Sequence, residues 1–174
     1  MKVNIIGKSH TWVDAPFDGT ESWGITQLLL HRSCDLVIDM NVYEDGRWGE
    51  KERQEAEFVR KLCGVNNIPL IDLKTYPLAE VMERFGTDYF SSTVDYAIAL
   101  ALYRGYTDIN LYGATMSAAS DYYKIKCGAD FWCGYAKGMG VKITVHGETS
   151  IMKTTDNMVY GYDLPQGDTA IESR

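Results

Sequence analysis

Ser91-Ser92-Thr93 places three hydroxyls directly before an apolar run, Val94 to Leu102, with Asp95 in its first turn. A hydroxyl at a helix start accepts from backbone N–H groups that have no partner inside the helix, a cap worth about 1 kcal/mol. One hydroxyl suffices for that. Three in a row beside free N–H groups also suit an anion or a ribose, and both readings stay open. Gly7-Lys8-Ser9-His10 is a second candidate. Its glycine permits a tight turn and close approach of a ligand. Lys8 and Ser9 suit a phosphate, and His10 is of the residue type that most often serves as acid or base; a lone loop histidine equally suits a surface position. A plain strand-to-loop turn is the alternative for this segment, whose spacing is neither GxGxxG nor GxxxxGK[ST].

Gly113-Ala114-Thr115-Met116-Ser117 is a third candidate. Thr115 suits a ligand hydroxyl or phosphate, or caps the next helix. Asp39 and Asn41 form a fourth, at the end of an apolar run. A carboxylate there holds ribose hydroxyls in many nucleotide-binding sheets; it also suits a cap, or a pair with Arg32 or Arg47. Trp12, Trp23, Tyr43, Trp48, Tyr89, Phe90, Tyr122 and Tyr123 supply rings on which a base or pterin would stack, unless they pack the core and loops. Tyr122, Lys124 and Lys126 open a long helical stretch within reach of a ligand; Lys126 equally suits a solvated position.

The elements that must position these residues follow from pattern. Short continuous apolar runs at Lys2–Ile6, Asp35–Met40, Ile68–Leu73, Asp108–Tyr112 and Val141–Val145 read as strands covered on both faces. Helical patterns alternate with them. One is capped by Ser22 and runs through WGITQLLLHR. Another spans Glu50–Cys63 and stops at Gly64; a short one starts at Pro77. The others run from about Ser92 to Arg104 and from Ala118 to Met139, the last with a break expected at Gly128. Residues 8–21 and VYEDGRWG read as loops. A turn near Ser150–Lys153 and a hairpin arm around Asn157–Tyr162 follow. This alternation predicts a three-layer, doubly wound α/β fold, Rossmann-like, with a mainly parallel five-stranded sheet in the order 3-2-1-4-5. Residues 1–155 form the domain and 156–174 a partly flexible extension. Ligands in such sheets bind beyond the carboxyl ends of the strands, where the order reverses. That places the turn after strand one beside the turn after strand four.

Bulk properties narrow the function. A net charge of −7 with no Lys/Arg cluster argues against direct nucleic-acid binding. One small anion still fits, held by backbone N–H groups. No apolar run approaches the roughly 18–20 residues of a membrane span, and the N-terminus does not read as a signal peptide. A cytoplasmic protein is expected. Cys34, Cys63, Cys127 and Cys133 form no CxxC and read as free thiols. His10, His31 and His146 are too scattered for a structural metal site.

With those residues in place, SSTVDYAIALALYRGYTDINLYGATM is similar to the core shared by the archaeal 6-hydroxymethylpterin pyrophosphokinases and the motility accessory factor glycosyltransferases. That core has a hydroxyl-rich turn, a small-residue helix ending in glycine, a strand, and then Gly-x-Asp. Thr93, Ala97, Ala101, Gly105, Ile109 and Gly113 carry the match. The wider combination of ESWGITQLL, DLVIDMN, YFSST, LYGATM and DYYKIKCGADFWCGYAKGMGVKITV resembles small phage-encoded proteins, which would place the chain in the host cytoplasm. The resemblance implies a fold more than an activity. Its Gly-x-Asp puts a carboxylate at position 115, where this chain has Thr115. Magnesium-dependent phosphoryl transfer needs carboxylates to hold Mg2+ against the phosphates; Asp39, Asp95 and Asp121 are the available substitutes. No nucleophile–base pair is legible. Three functions are therefore expected to compete. One is a small phosphoryl, pyrophosphoryl or glycosyl transferase acting on a nucleotide or pterin. The second is a module that sequesters a nucleotide signal. The third is a module that binds a host protein. The aromatic content hints at a homodimer.

Overall fold

The computed structural model describes residues 1–116, 121–154 and 156–166, with the side chains of Asp121 and Tyr122 outside that description. The chain forms β1 (Lys2–Ile6), β2 (Glu21–Ile25), β3 (Leu36–Asp39), α1 (Glu50–Asn66), β4 (Leu70–Asp72), α2 (Leu78–Phe85), α3 (Thr93–Tyr103), β5 (Asp108–Tyr112), α4 (Lys126–Gly138) and β6 (Lys142–Val145). The strands make a six-stranded sheet in the order β4-β3-β2-β1-β5-β6, and every neighbouring pair is parallel. The expected Rossmann-like α/β architecture is present. The strand count is corrected from five to six.

The added strand is β2, in a segment whose pattern predicts a helix capped by Ser22. Ser22 is no cap here: its N–H and hydroxyl both donate to Asp35 Oδ2, at 2.8 and 3.1 Å. Trp23 and Ile25 face the main core. Gly24 lies on the opposite face, where a Cβ would sit 2.9 Å from Cys34 Sγ. The helical remainder shrinks to a 3-10 turn, Thr26–Leu30.

Two layers flank the sheet, as its winding requires. On one face Val3, Ile5, Leu36, Ile38, Ile109 and Leu111 pack with buried residues of α2, α3 and α4. Alanines at 97, 99 and 101 are fully buried, and their small size lets α3 lie close against its neighbours. The other face is covered by α1, through Val59 and Cys63 over Val37, and by Trp12, Ala15 and Leu28 around Ile6 and Tyr112.

Helix ends follow the expected chemistry with two corrections. Gly86 ends α2 in the left-handed region at φ 66°. Gly64, however, lies inside α1, which stops at Asn67 with φ 54°, because asparagine also tolerates that conformation. α4 begins after a 3-10 turn, Asp121–Ile125, and passes through Gly128 without a break. Ser117 and the helix start expected at Ala118 lie outside the described residues. In the tail, Met158 and Pro165 form an isolated antiparallel bridge. Among the described residues no helix is long and apolar enough to cross a membrane.

Candidate functional site

β1 and β5 run side by side in register, Lys2 opposite Asp108 through Ile6 opposite Tyr112. The turns that follow them are stitched together before they part. Gly7 N donates to Tyr112 O at 2.8 Å and Ser9 N to Gly113 O at 3.0 Å. Gly113 N donates to the Thr11 hydroxyl at 3.1 Å. A Cβ on Gly7 would sit 2.4 Å from Gly113 O, and one on Gly113 the same 2.4 Å from Gly7 O. Both positions therefore need glycine for the approach of one backbone to the other, and Gly113 also has φ 61°.

Beyond this junction opens a cleft of about 420 Å³. It gathers Gly7, Lys8, Ser9, Asn41, Ser91, Ser92, Thr93, Gly113, Thr115 and Met116 from the sequence candidates. His10 and Asp39 do not line it. His10 is exposed at the start of a 3-10 turn; Asp39 is buried behind Asn41, with 3% of its surface exposed. Ala114, inside the third candidate, lines the cleft too; the sequence missed Ile25 at the end of the unrecognised β2, Thr26 and Gln27 in the turn that follows it, and also Arg47, Val94 and Ile125. Trp48, already marked as a ring, is part of the wall. Thr26 and Met116 both hold left-handed backbone, φ 52° and 44°. A β-branched residue in that region is a true outlier.

Two carboxylates stand behind the cleft. Asp39 Oδ1 accepts from Asn41 N (3.3 Å), Asn41 Nδ2 (2.9 Å) and Tyr43 Oη (3.2 Å); Oδ2 accepts from the same hydroxyl at 3.0 Å. It pairs with neither arginine proposed for it. Arg32 donates to the carbonyls of Ala15 and Pro16 at 2.8 and 3.1 Å, and Arg47 pairs with Asp45. Tyr43 leads on to Gln27 Nε2 at 3.4 Å, and Gln27 Oε1 accepts from Lys8 Nζ at 3.3 Å. Burial pushes the Asp39 carboxyl above its ordinary range, against the lowering pull of its donors and Arg60.

Asp95 is fully buried. It accepts from Ser91 N (2.6 Å), Ser91 Oγ (2.9 Å), Ser92 N (2.8 Å) and Ser92 Oγ (2.8 Å). Ser92 and Asp95 form a capping box on α3. Ser91 Oγ also lies 2.7 Å from Ile125 O. The serine hydroxyls thus serve the cap and the join to α4, and Thr93 is left facing the cleft. Burial again pushes this carboxyl up.

The segment after β6 braces the turn after β5. Thr149 Oγ1 lies 3.1 Å from Ala114 O and 3.2 Å from Thr115 O. Ser150 N donates to Thr115 O at 2.9 Å, and its hydroxyl donates to Met116 O. With the carbonyls tied back, the turn keeps its strained shape.

A magnesium site built on Asp39 and Asp95 does not fit these residues; the side chain of Asp121, the third carboxylate named for it, lies outside the described residues. Position 115 is a threonine, and the oxygens of Asp39 and Asp95 are taken up by internal donors. Among the described residues no group of His, Cys, Asp or Glu is placed to hold a metal ion.

No family model matches the chain, and the comparison with curated proteins found no match. Among solved structures it is similar to a variant of the α-2,3/8-sialyltransferase CstII, with 14% identity and a TM-score of 0.42 over 83% of this chain and 81% of that one. It is also similar to CstII from Campylobacter jejuni in complex with the substrate analogue CMP-3FNeuAc, with 15% identity and a TM-score of 0.41 over 83% and 79%. For CstII in complex with a trisaccharide acceptor and CMP the values are 16% and 0.40 over 83% and 80%. Likeness this distant carries no information on activity. The pterin-kinase and phage-protein resemblance gains no further support; what stands of it is the parallel Rossmann-like sheet.

Proposed function

We propose that the protein binds a nucleotide or a nucleotide-like small anion in the cleft between the turns after β1 and β5, and holds it without chemical change. The observation that carries this reading is the cleft's place and lining. It lies beyond the carboxyl ends of the strands where the sheet order reverses. Its volume of about 420 Å³ falls in the roughly 300–1,000 Å³ range of small-molecule sites. Lys8 and Arg47 bring positive charge, Gln27 and Asn41 bring amides, and Trp48, Ile25 and Val94 bring apolar surface. Thr93 and Val94 open α3, where backbone N–H groups have no intrahelical partner. Asp95 already faces that helix start with its own charge, so Lys8 supplies the stronger pull on an anion.

Retention rather than turnover is favoured by the spent carboxylates. Asp39 and Asp95 each use their oxygens on internal donors, which leaves neither to hold a metal against a phosphate.

The test is a thermal-shift and calorimetric screen against ribonucleoside mono-, di- and triphosphates, with and without magnesium, followed by chromatographic recovery of the ligand. A binder raises the melting temperature by mass action and is recovered intact. Lys8→Ala weakens it about tenfold, as expected for the loss of one charged hydrogen bond. No binding by any nucleotide would overturn the reading and leave the protein-interaction role. Consumption of the ligand would replace retention with transfer.

A further inference from the structure

An ionised carboxylate can only accept hydrogen bonds, and that fixes the direction of every bond leading away from Asp39. Tyr43 has one proton, and its oxygen lies 3.0 Å from Asp39 Oδ2. With the proton given to Asp39, the tyrosine oxygen is left as an acceptor. It receives Gln27 Nε2 at 3.4 Å and Asn41 Nδ2 at 3.3 Å. Gln27 therefore turns its nitrogen inward and its oxygen toward Lys8 Nζ, 3.3 Å away. Asn41 turns its nitrogen toward Asp39, at 2.9 Å, which leaves Oδ1 for the cleft that Asn41 lines. The two ends of an amide have nearly the same shape, so packing alone does not select these orientations. The carboxylate does so for Asn41, and for Gln27 it does so together with Lys8, which can only donate.

We propose that Asp39 is a positioning residue that sets the polarity of the cleft, so that Asn41 presents an acceptor beside the donors of Lys8. The ligand then brings a donor group, a hydroxyl or an amino group, to Asn41 and an anionic group to Lys8. This rests on the nucleotide reading, since a nucleotide carries both: a ribose hydroxyl or a base amine, and a phosphate.

The test uses Asp39→Asn, which keeps the shape and removes the obligatory acceptor. Binding of AMP, CMP, GMP and UMP is measured by calorimetry beside their 2′-deoxy counterparts and inosine monophosphate. The best wild-type binder is expected to lose about tenfold or more in Asp39→Asn. An analogue that lacks the donor group is expected to bind wild type and variant equally weakly. Loss of discrimination against the 2′-deoxy form assigns the donor to the ribose; loss against inosine assigns it to the base. Tyr43→Phe, a second and milder variant, removes the Gln27 limb and the longer of the two Asn41 Nδ2 contacts but leaves the 2.9 Å bond from Asn41 to Asp39, and so keeps the discrimination. A folded Asp39→Asn with wild-type affinity and discrimination would overturn the proposal. The NMR signals of the Asn41 and Gln27 side-chain amides give a readout that needs no ligand. They are expected to shift and to exchange faster with solvent in Asp39→Asn; in Tyr43→Phe the larger change is expected at Gln27, since Asn41 keeps its 2.9 Å bond to Asp39. Unchanged signals in both variants would overturn the polarity even where wild type binds every nucleotide tested. Should wild type bind none, the nucleotide reading fails on its own and the amide signals still decide the role of Asp39.

Discussion

Asp39 and Asp95 are both buried aspartates beyond the carboxyl ends of the sheet, and they do opposite jobs. Around Asp95 the network closes: its donors are Ser91 and Ser92, and Ser91 passes the chain of bonds straight to Ile125 O. Around Asp39 the network opens: Asn41 and Tyr43 lead outward to Gln27 and Lys8, on the cleft wall. The difference teaches that a buried carboxylate is neither structural nor functional by its burial. What decides is where the groups that donate to it spend their remaining bonds.

The comparison breaks most visibly in stability. Asp95→Ala leaves two backbone N–H groups and the Ser92 hydroxyl without their acceptor, while the Ser91 hydroxyl keeps Ile125 O. At about 1–3 kcal/mol for each unsatisfied buried donor, a loss of at least about 3 kcal/mol is expected in urea unfolding. A loss below about 1 kcal/mol would mean that the network is not closed. Next comes Gly128→Ala, whose Cβ would sit 2.1 Å from Asp95 Oδ2 and 2.3 Å from Ser91 Oγ. Overpacking of this kind costs about 1–3 kcal/mol, and the melting temperature reports it. Ser92→Ala is milder, about 1 kcal/mol as a lost cap. It should weaken nucleotide binding less than Lys8→Ala does, because its hydroxyl is committed to Asp95. Equal losses of affinity would return Ser92 to direct ligand contact.

The smallest effect is in pH dependence. Burial raises both carboxyls above their ordinary value of 3.8. Between that value and the raised one, the native state holds a proton that the unfolded chain has released. Stability from each group therefore falls as pH rises through that window. Asp39→Asn removes one of the two contributions. Its urea midpoint should change less steeply with pH than that of wild type; an identical slope would contradict the raised value.

Much of this was legible in the residues. The apolar runs at β1, β3, β4, β5 and β6 announce a covered parallel sheet, and from their order the meeting of Gly7–Ser9 with Gly113–Met116 follows. Ser92 and Asp95 carry the spacing of a capping box. β2 was not legible because Glu21-Ser22-Trp23-Gly24-Ile25 is no continuous apolar run: Ser22 and Gly24 take one face, against Asp35 and Cys34, and Glu21 shares the other with Trp23 and Ile25. A serine before an apolar stretch then reads as a helix cap. With β2 went Thr26 and Gln27, and so the link from Asp39 to Lys8. Nor does the sequence say that Gly7 and Gly113 need each other: only the 2.4 Å approach of each to the other's carbonyl shows that.

The central claim, that the turns after β1 and β5 enclose a nucleotide site, is met most directly by chemical-shift mapping. Isotope-labelled protein is titrated with ribonucleoside monophosphates. The account predicts saturable shifts at Gly7–Ser9, Gly113–Met116 and the side-chain amides of Gln27 and Asn41. Shifts confined to another surface, such as the smaller hollow of about 250 Å³ beside Phe17 and Arg32, or none at millimolar ligand, would contradict it.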